Sequence, residues 1–317
     1  MVIGLVLAVG ESIAASHRGG RRWDQPSLVS FEKKGDREQR ITLDSFLTIV
    51  IEISENADHR SISLFPQEKR MKTIRLEEMN WPDIKTAIAG GMKTVLVAVG
   101  STEQHGPHLP TMTDALIGDV VAERVAAKLG NALVGRTISV GCSEHHLAFP
   151  GTISLKSATL KMVINDYIDS LLRSGFKKIV FVPSHGGNFA PVRDAIDEAR
   201  RRHPDADITG FTDLMRFIKI FYDASAEFGI SEEESGGHAG ESETSIMMAL
   251  RGHLIPLDRL APGYIGPAGE RELKIIFEQG MPALTQNGIL GDPRKATAEK
   301  GEAYLKKLVN CLVEEIT

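Results

Sequence analysis

TVLVAVGSTEQHGPHLPTMTD, residues 94–114, is the stretch that decides the fold. Its first six residues are an uninterrupted apolar run, which is typical of a strand buried on both faces of a parallel sheet. Glycine and proline then shape a loop that carries Glu103 and His105. Asp114 begins a run of apolar residues at helical spacing. A strand, a polar loop and a helix in this order predict a βαβ unit.

The same alternation of apolar strands and amphipathic helices continues towards the end of the chain. Further strands are predicted over residues 132–140, 178–182 and 207–211, and helices over 114–128, 160–173, 188–202, 241–250 and 296–315. Alternation at this spacing predicts an α/β fold with a mainly parallel sheet. We therefore expect a single catalytic domain over residues 71–317.

Residues 1–70 have a different character, with charged, glycine-bearing segments and little sustained periodicity. Only residues 48–53, TIVIEI, suggest a strand, so we expect a poorly structured extension with Met71 as the natural start. The apolar residues 1–9 have no preceding positive charge. They therefore differ from a secretory signal, which begins with a positively charged region.

Composition excludes several classes of protein. The 317 residues carry a formal net charge of −5 and no clustered Lys or Arg, which argues against a nucleic-acid partner. No apolar run approaches the roughly 18 residues that span a bilayer, so we expect no membrane partner. The two cysteines have no C-x-x-C spacing, which favours a reducing, cytoplasmic location. A small-molecule substrate is the expected partner.

The first polar segment, residues 100–114, offers candidate metal ligands. Glu103 and His105 are two residues apart, so in an extended segment their side chains project to the same side. The loop can return Asp114 towards them, and this mixed oxygen and nitrogen set suits Zn, Mn or Fe(II). The alternative is an Asp at a helix start with two surface polar residues.

The second segment, PSHGGN at residues 183–188, follows another predicted strand. His185 lies where that strand ends, and Gly186 and Gly187 permit a close approach of backbone to ligand. Ligands of open α/β sheets bind outside the carboxyl ends of the strands, so His185 is expected near Glu103. The alternatives are a structural histidine and a loop that binds phosphate through its amides.

The third segment, GGHAGESETS at residues 236–245, opens a helix with His238, Glu241 and Glu243. Acidic residues in a first turn are stabilised by the helix dipole, which accounts for a glutamate but not for His238. We therefore favour a functional role for this segment.

The fourth segment, GCSEHHLAFPGTIS at residues 141–154, contains Ser143 and a tandem histidine pair. It either lines a substrate pocket or is an ordinary connection. Cys142 has no neighbour that would activate it as a nucleophile. The sequence also has no G-x-S-x-G, G-x-G-x-x-G, Walker or H-E-x-x-H motif.

Together these segments resemble the creatininase (creatinine amidohydrolase) family over about residues 72–315. The matching pieces are GSTEQHGPHLP with Asp114, FPGTIS, SHGGN and HAGESETS, with a looser match at LGDPRKATAEKG, residues 290–301. The resemblance implies a three-layer α/β sandwich in which helices flank the sheet, and assembly as a homohexamer. It also implies an amidohydrolase that cleaves a non-peptide or cyclic amide or formamide C–N bond with two divalent ions, Zn, Mn or Fe, per chain.

Carried over residue by residue, the resemblance implies a role for each matching position. Glu103, His105, Asp114 and His185 are the implied metal ligands, with Asp114 bridging both ions, and His238 is the implied proton shuttle. Creatininase has a metal-binding Glu where this chain has Gly187. The HAGESETS segment is expected to supply the missing carboxylate, with Glu241 as first choice and Glu243 as the reserve or a second catalytic residue. The expected substrate-binding residues are Ser143, His145, Gly186 and Gly187.

The position of the tryptophans also differs from creatininase. That enzyme closes over its substrate with Trp residues late in the chain. Here Trp23 and Trp81 are both early, so creatinine is disfavoured as substrate. Other branches of the family deformylate a pyrimidine formamide, trim a peptide cofactor precursor or open oxidised sugar-like rings. A metal-dependent isomerase or lyase acting on a sugar-like (cyclitol) ring, and a non-enzymatic oligomeric binding protein, remain open alternatives.

Overall fold

The computed structural model describes residues 73–266 and 269–317 in full, together with the backbone of four strands between residues 29 and 67. The chain divides into two compact units, Met1–Lys72 and Thr73–Thr317. Among the described residues, no helix has both the length and the apolar character that a membrane span requires.

The four strands of the first unit form an antiparallel sheet in the order β1-β2-β3-β4. They are β1 Val29–Lys33, β2 Glu38–Leu43, β3 Leu47–Asn56 and β4 His59–Gln67. The predicted strand at residues 48–53 falls within β3, whereas the other three strands were not expected. They lack continuous apolar runs, and β4 instead alternates Ser and apolar residues over 61–64, a pattern that forms a strand when a neighbour pairs with its backbone. Met71 and the apolar start of the chain lie outside the described residues.

The second unit is built on a four-stranded sheet in the order β6-β5-β7-β8, in which all neighbouring pairs are parallel. Its strands are β5 Thr94–Val99, β6 Ala132–Val134, β7 Lys178–Pro183 and β8 Asp207–Gly210. The predicted parallel sheet is confirmed. Val99 pairs with Pro183, so β5 and β7 end level with each other at the centre of the sheet.

The helices of the second unit alternate with its strands as far as β8, and the described elements after β8 are all helical. They are α1 Trp81–Ala89, α2 Thr113–Leu129, α3 Ser157–Ser174, α4 Phe189–Arg202, α5 Leu214–Ala226, α6 Glu232–Ser235, α7 Glu241–Arg251, α8 Glu270–Gln279 and α9 Ala298–Ile316.

Two hydrophobic cores lie on opposite faces of the sheet. In β5, Val95, Val97 and Val99 pack into the core that contains residues of α1, α3 and α4. Leu96 and Ala98 point the other way, into the core formed with α2, α5, α7 and α9. This alternation follows from the two-residue period of a strand. The second unit is therefore a three-layer α/β sandwich, as predicted.

Asn188 ties together the loops at the carboxyl end of the sheet. Its side-chain amide donates to the carbonyl oxygens of Val99 and Gly100, at 3.0 and 2.9 Å, and its Oδ1 accepts from the Cys142 amide at 2.9 Å. The end of β5, the loop after β7 and the loop before the tandem histidines are thus held by one buried side chain.

Replacing Asn188 with Ala should lower the free energy of unfolding of the second unit by about 2–4 kcal/mol, because it leaves buried backbone groups without partners. Urea unfolding followed by circular dichroism measures this loss. Asn131→Ala removes an exposed Asn and should change stability by less than about 0.5 kcal/mol. Equal losses in the two variants would contradict the role given to Asn188.

Candidate metal centre

Acidic and imidazole side chains from several elements converge at the carboxyl edge of β5 and β7. The chain runs from β5 outwards to β6 and then returns to the other side of β5 to form β7 and β8. The strand order therefore reverses between β5 and β7, and ligands of such sheets usually bind at this reversal. The converging residues are Glu103, His105, Asp114, His146, His185, His238 and Glu243. All except Glu243 are buried.

Asp114, in the first turn of α2, lies between two imidazoles. Its Oδ1 is 3.0 Å from His105 Nε2, and its Oδ2 is 3.1 Å from His185 Nδ1. Oδ2 also accepts a hydrogen bond from Ser101 Oγ at 2.8 Å. Burial alone would raise the pKa of Asp114, but the two imidazoles outweigh it and hold that pKa well below its ordinary value. Each oxygen of this ionised carboxylate faces a different histidine, which is the arrangement a bridging ligand needs.

Glu103 is fully buried, and neither of its carboxylate oxygens has a hydrogen-bond partner among the described residues. Its Oε1 is 3.1 Å from His185 Nδ1, 3.3 Å from His146 Nε2 and 3.8 Å from His238 Nδ1. A buried carboxylate without hydrogen bonds is unfavourable. A cation between this oxygen and the surrounding nitrogens would satisfy it, so the residues present fit a metal site.

The donor atoms form three overlapping groups that can hold an ion, and within each group they lie within 4.8 Å of one another. The groups are Glu103–Asp114–His185, His105–His238–Glu243 and Glu103–His146–His238. Mixed carboxylate and imidazole donors suit Zn and Mn, while imidazole disfavours Mg and Ca.

Glu241 does not join these groups, although it was the first choice for the missing ligand. Its Oε1 accepts from Ser245 Oγ at 2.8 Å and lies 3.3 Å from Lys300 Nζ, and its Oε2 accepts from Tyr304 Oη at 3.0 Å. Residues two apart in an α-helix are separated by about 200° around its axis. Glu241 therefore points from α7 towards α9, and Glu243, the reserve, points towards the histidines.

Glu243 is held in place by a strained residue. Ala239 has a φ of 54°, which non-glycine residues adopt at a cost of about 1–3 kcal/mol. In this conformation the Ala239 amide donates to Glu243 Oε2 at 2.6 Å, and Oε2 lies 3.8 Å from His105 Nε2. Burial raises the pKa of Glu243 to about 7. The strain places a carboxylate beside His105.

His238 has its two ring nitrogens in different surroundings. Its Nε2 is 2.8 Å from the backbone oxygen of Gln104 and 3.1 Å from the Gln104 side-chain nitrogen. The shorter contact is to an oxygen that can only accept, which favours the tautomer with the proton on Nε2. Nδ1, 3.8 Å from Glu103 Oε1, is then free to accept a proton or to bind a metal. Burial and the nearby His105 lower the pKa of His238 well below its usual value.

His146 and Gln104 were missed by the sequence reasoning. The Gln104 side-chain amide donates to His146 Nδ1 at 2.9 Å, so the other nitrogen of His146 faces Glu103. The tandem histidines were the available signal, but the prediction selected His145 of the pair. The His145 ring instead stacks against His185 with centroids 5.5 Å apart, and burial lowers its pKa to about 3.

The remaining predicted substrate-binding residues surround His185. Ser143 Oγ lies 3.5 Å from His185 Nε2, and the Ser143 amide already donates to Ser154 Oγ at 2.8 Å. A Cβ on Gly187 would overlap the Cys142 carbonyl oxygen, whereas one on Gly186 would meet open space. Only Gly187 is therefore required to be glycine by the packing of this loop.

The sequence profile of the creatininase family, described as creatinine amidohydrolase, matches residues 77–316. This chain belongs to the creatininase family. The family resemblance predicted from the motifs is thereby confirmed, and the chain is a metal-dependent hydrolase acting on carbon–nitrogen bonds.

Relatives match over most of the second unit. A mycofactocin precursor peptide peptidase of Mycolicibacterium smegmatis is 34% identical over 227 residues, covering 70% of this chain and 83% of that protein. A creatinine amidohydrolase of Pseudomonas putida is 29% identical over 258 residues, covering 77% and 96%. The solved structure of a mutant creatininase of the Zn–Zn type is 30% identical, with a TM-score of 0.65 over 78% of this chain and 98% of that one.

The positions of the two glutamates on α7 predict different effects on metal content. Glu243→Gln should reduce the bound divalent ions by one per chain, because an amide is a poor ligand. Glu241→Gln should leave the ion content unchanged and lower stability, because Glu241 bonds only to Ser245, Lys300 and Tyr304. Elemental analysis of the two variants tests this, and loss of an ion from Glu241→Gln alone would reverse the assignment.

Metal binding should release protons. Burial alone would lower the pKa of His105, but Asp114 outweighs it and raises that pKa to about 10 in the metal-free chain. His105 is thus protonated at pH 7 and must lose its proton to bind a metal, so metal affinity should fall as the pH is lowered. Calorimetric titration with Zn²⁺ in buffers of different ionisation enthalpy measures the release. A binding enthalpy independent of the buffer would contradict it.

Proposed function

We propose that this chain hydrolyses an amide-type C–N bond of a small molecule with two divalent ions, zinc or manganese, held at the edge of β5 and β7. The buried Glu103 carboxylate, unsatisfied beside three imidazoles, is the observation that carries the proposal. The Zn–Zn type of the related creatininase structure supports a pair of ions. The homohexamer and the cytoplasmic location stay predictions.

Two sets of side chains would hold the ions, with Asp114 shared between them. Glu103 and His185 complete one set, and His105 and Glu243 complete the other. Divalent ions bound there would polarise the amide carbonyl and lower the pKa of a water molecule towards 7.

His238 is the proposed proton shuttle. Because its Nε2 proton is held by the Gln104 carbonyl, Nδ1 is the atom that accepts a proton and passes it to the leaving nitrogen. The lowered pKa of His238 keeps that nitrogen unprotonated at neutral pH. An amide nitrogen must gain a proton to leave, and a positioned imidazole can supply it as a general acid.

The backbone at Gly186 and Gly187 borders the site beside His185 and is the proposed place for the developing oxyanion. The Ser143 amide is a weaker candidate for holding the oxyanion, because it already donates to Ser154. The Ser143 hydroxyl, beside His185, is proposed to bind the substrate instead. His145 would contact the substrate through its ring face.

Creatinine is not the proposed substrate. Trp81 is the one tryptophan among the described residues, it is 74% exposed on α1, and it is absent from the residues that line the cavity beside the metal centre. The relatives are named for creatinine in one case and for a precursor peptide in another, so the test requires a screen of amides and formamides.

The first test combines metal analysis with that screen. The chain purified without chelator should contain about two divalent ions, and amide hydrolysis should disappear with chelator and return with Zn²⁺ or Mn²⁺. Product analysis by NMR separates hydrolysis from isomerisation of a ring substrate. A chain that binds no ion after soaking with metal would overturn the proposal.

His238→Gln should reduce turnover by a factor of about 10²–10⁴, the usual contribution of a general acid or base, and leave the ion content unchanged. His253→Gln, which alters an exposed histidine, is the matched control and should keep full activity. Loss of an ion from His238→Gln would instead make His238 a ligand, as its grouping with His105 and Glu243 permits.

A further inference from the structure

A cavity of about 670 Å³ opens beside the candidate metal centre. Gly186 and Gly187 form part of its wall, and a Cβ on Gly187 would lie 2.7 Å from His185 Nε2. The cavity and the metal centre thus share one wall. Its volume is in the range of pockets for ligands of drug size, so a scissile amide alone would leave most of it empty.

One side of the cavity is apolar. Its apolar lining consists of Phe189, Leu214, Met215 and Phe277. Met215 is 42% exposed and Phe277 is 47% exposed. The Phe277 ring meets the His145 ring edge-on at 4.8 Å, and His145 stacks against His185. The apolar wall therefore starts beside a candidate metal ligand, and its exposed side chains favour an apolar part of the ligand.

The polar lining is Arg193, Thr212 and Asp213. Asp213 is the N-cap of α5, where it accepts a hydrogen bond from the Arg216 amide at 3.0 Å and faces the positive end of the helix dipole. The Arg193 side chain, on α4, makes no hydrogen bond or ion pair with any other described residue. Of the two charged groups in the lining, Asp213 is engaged by α5, and the Arg193 guanidinium is the one without a partner among the described residues.

We propose that the substrate joins its scissile amide to an apolar body and an anionic group, and that Arg193 binds this anionic group. A guanidinium presents a planar fork of donors that matches a carboxylate or a phosphate. Arg193 is then a specificity-determining residue in the wall of the cavity. This inference rests on the proposed function, since it concerns the substrate of the same site.

The test uses three small formamides that differ in one group. The probes are N-formyl-L-phenylalanine, its neutral carboxamide, and the analogue with a phosphonate in place of the carboxylate. Calorimetry on the zinc-loaded chain should show the carboxylate or the phosphonate binding at least about tenfold tighter than the carboxamide, as expected for a hydrogen bond to a charged group. The tighter of the two anions identifies the anionic group that the site prefers.

Arg193→Gln should abolish the preference for the anionic probe. Arg201→Gln removes the same charge from an exposed position on the same helix, outside the cavity, and should keep the preference. Equal binding of all probes to the unmodified chain, including no binding of any, overturns the proposal, and so does a preference that survives Arg193→Gln.

Hydrolysis of the same probes, followed by NMR, separates the two proposals. Metal-dependent hydrolysis of carboxylate and carboxamide with equal KM would uphold the proposed function and reject the role of Arg193. A preference that depends on Arg193, in a chain that cleaves no amide with any metal, would uphold the anion site and reject the hydrolase mechanism.

Discussion

The centre of this protein depends on a buried carboxylate held between two imidazoles. Asp114 can face His105 and His185 at once because α2 starts directly against the ends of β5 and β7. A Cβ on Gly100 would come within 2.5 Å of the Ala115 Cα, and a Cβ on Gly118 would overlap Ser184 Oγ. Two glycines therefore permit the close packing that brings a helix carboxylate between two loop histidines.

The two glutamates in the first turn of α7, Glu241 and Glu243, point to different surroundings. The carboxylate of Glu241 is fully buried between α7 and α9, where it meets Lys300 and Tyr304. A buried ion pair contributes little net stability compared with apolar packing, but removing one partner is costly. Its contacts fix the rotation of α7 about its axis, and that rotation aims Glu243 at His105. The contacts of Glu241 thus set the direction of Glu243.

Much of the architecture was predictable because β5 and β7 are continuous apolar runs that end in polar loops. A buried strand tolerates few other sequences, and the ends of parallel strands meet at one edge, so the proximity of Glu103 and His185 followed from local pattern alone. Between residues 29 and 67 only the strand at 48–53 was predicted, and β1, β2 and β4 were missed for the opposite reason. Their alternation of polar and apolar residues is short, and each strand depends on pairing with a neighbour.

The site residues that the structure places differently from the expectation share a different cause. Choosing between Glu241 and Glu243 required knowing which side of α7 faces the sheet. Two acidic residues in the same first turn give no such information. Choosing between His145 and His146 required the backbone of the short helical turn at Glu144–His146, which directs one ring to Glu103 and the other to His185. Gln104 could be recognised only through His146 and His238, which contact it from distant parts of the chain.

The candidate metal centre and the neighbouring cavity are built largely from different parts of the fold. The candidate ligands are fixed by strand ends and helix starts, whose positions the packing of the sheet determines. The cavity wall comes instead partly from the surfaces of α4, α5 and α8, where Arg193, Met215 and Phe277 are exposed. Substitutions there would change the shape and charge of the cavity without disturbing the buried carboxylates. Under the proposed function, substrate choice can therefore change through this wall while the candidate metal ligands stay in place.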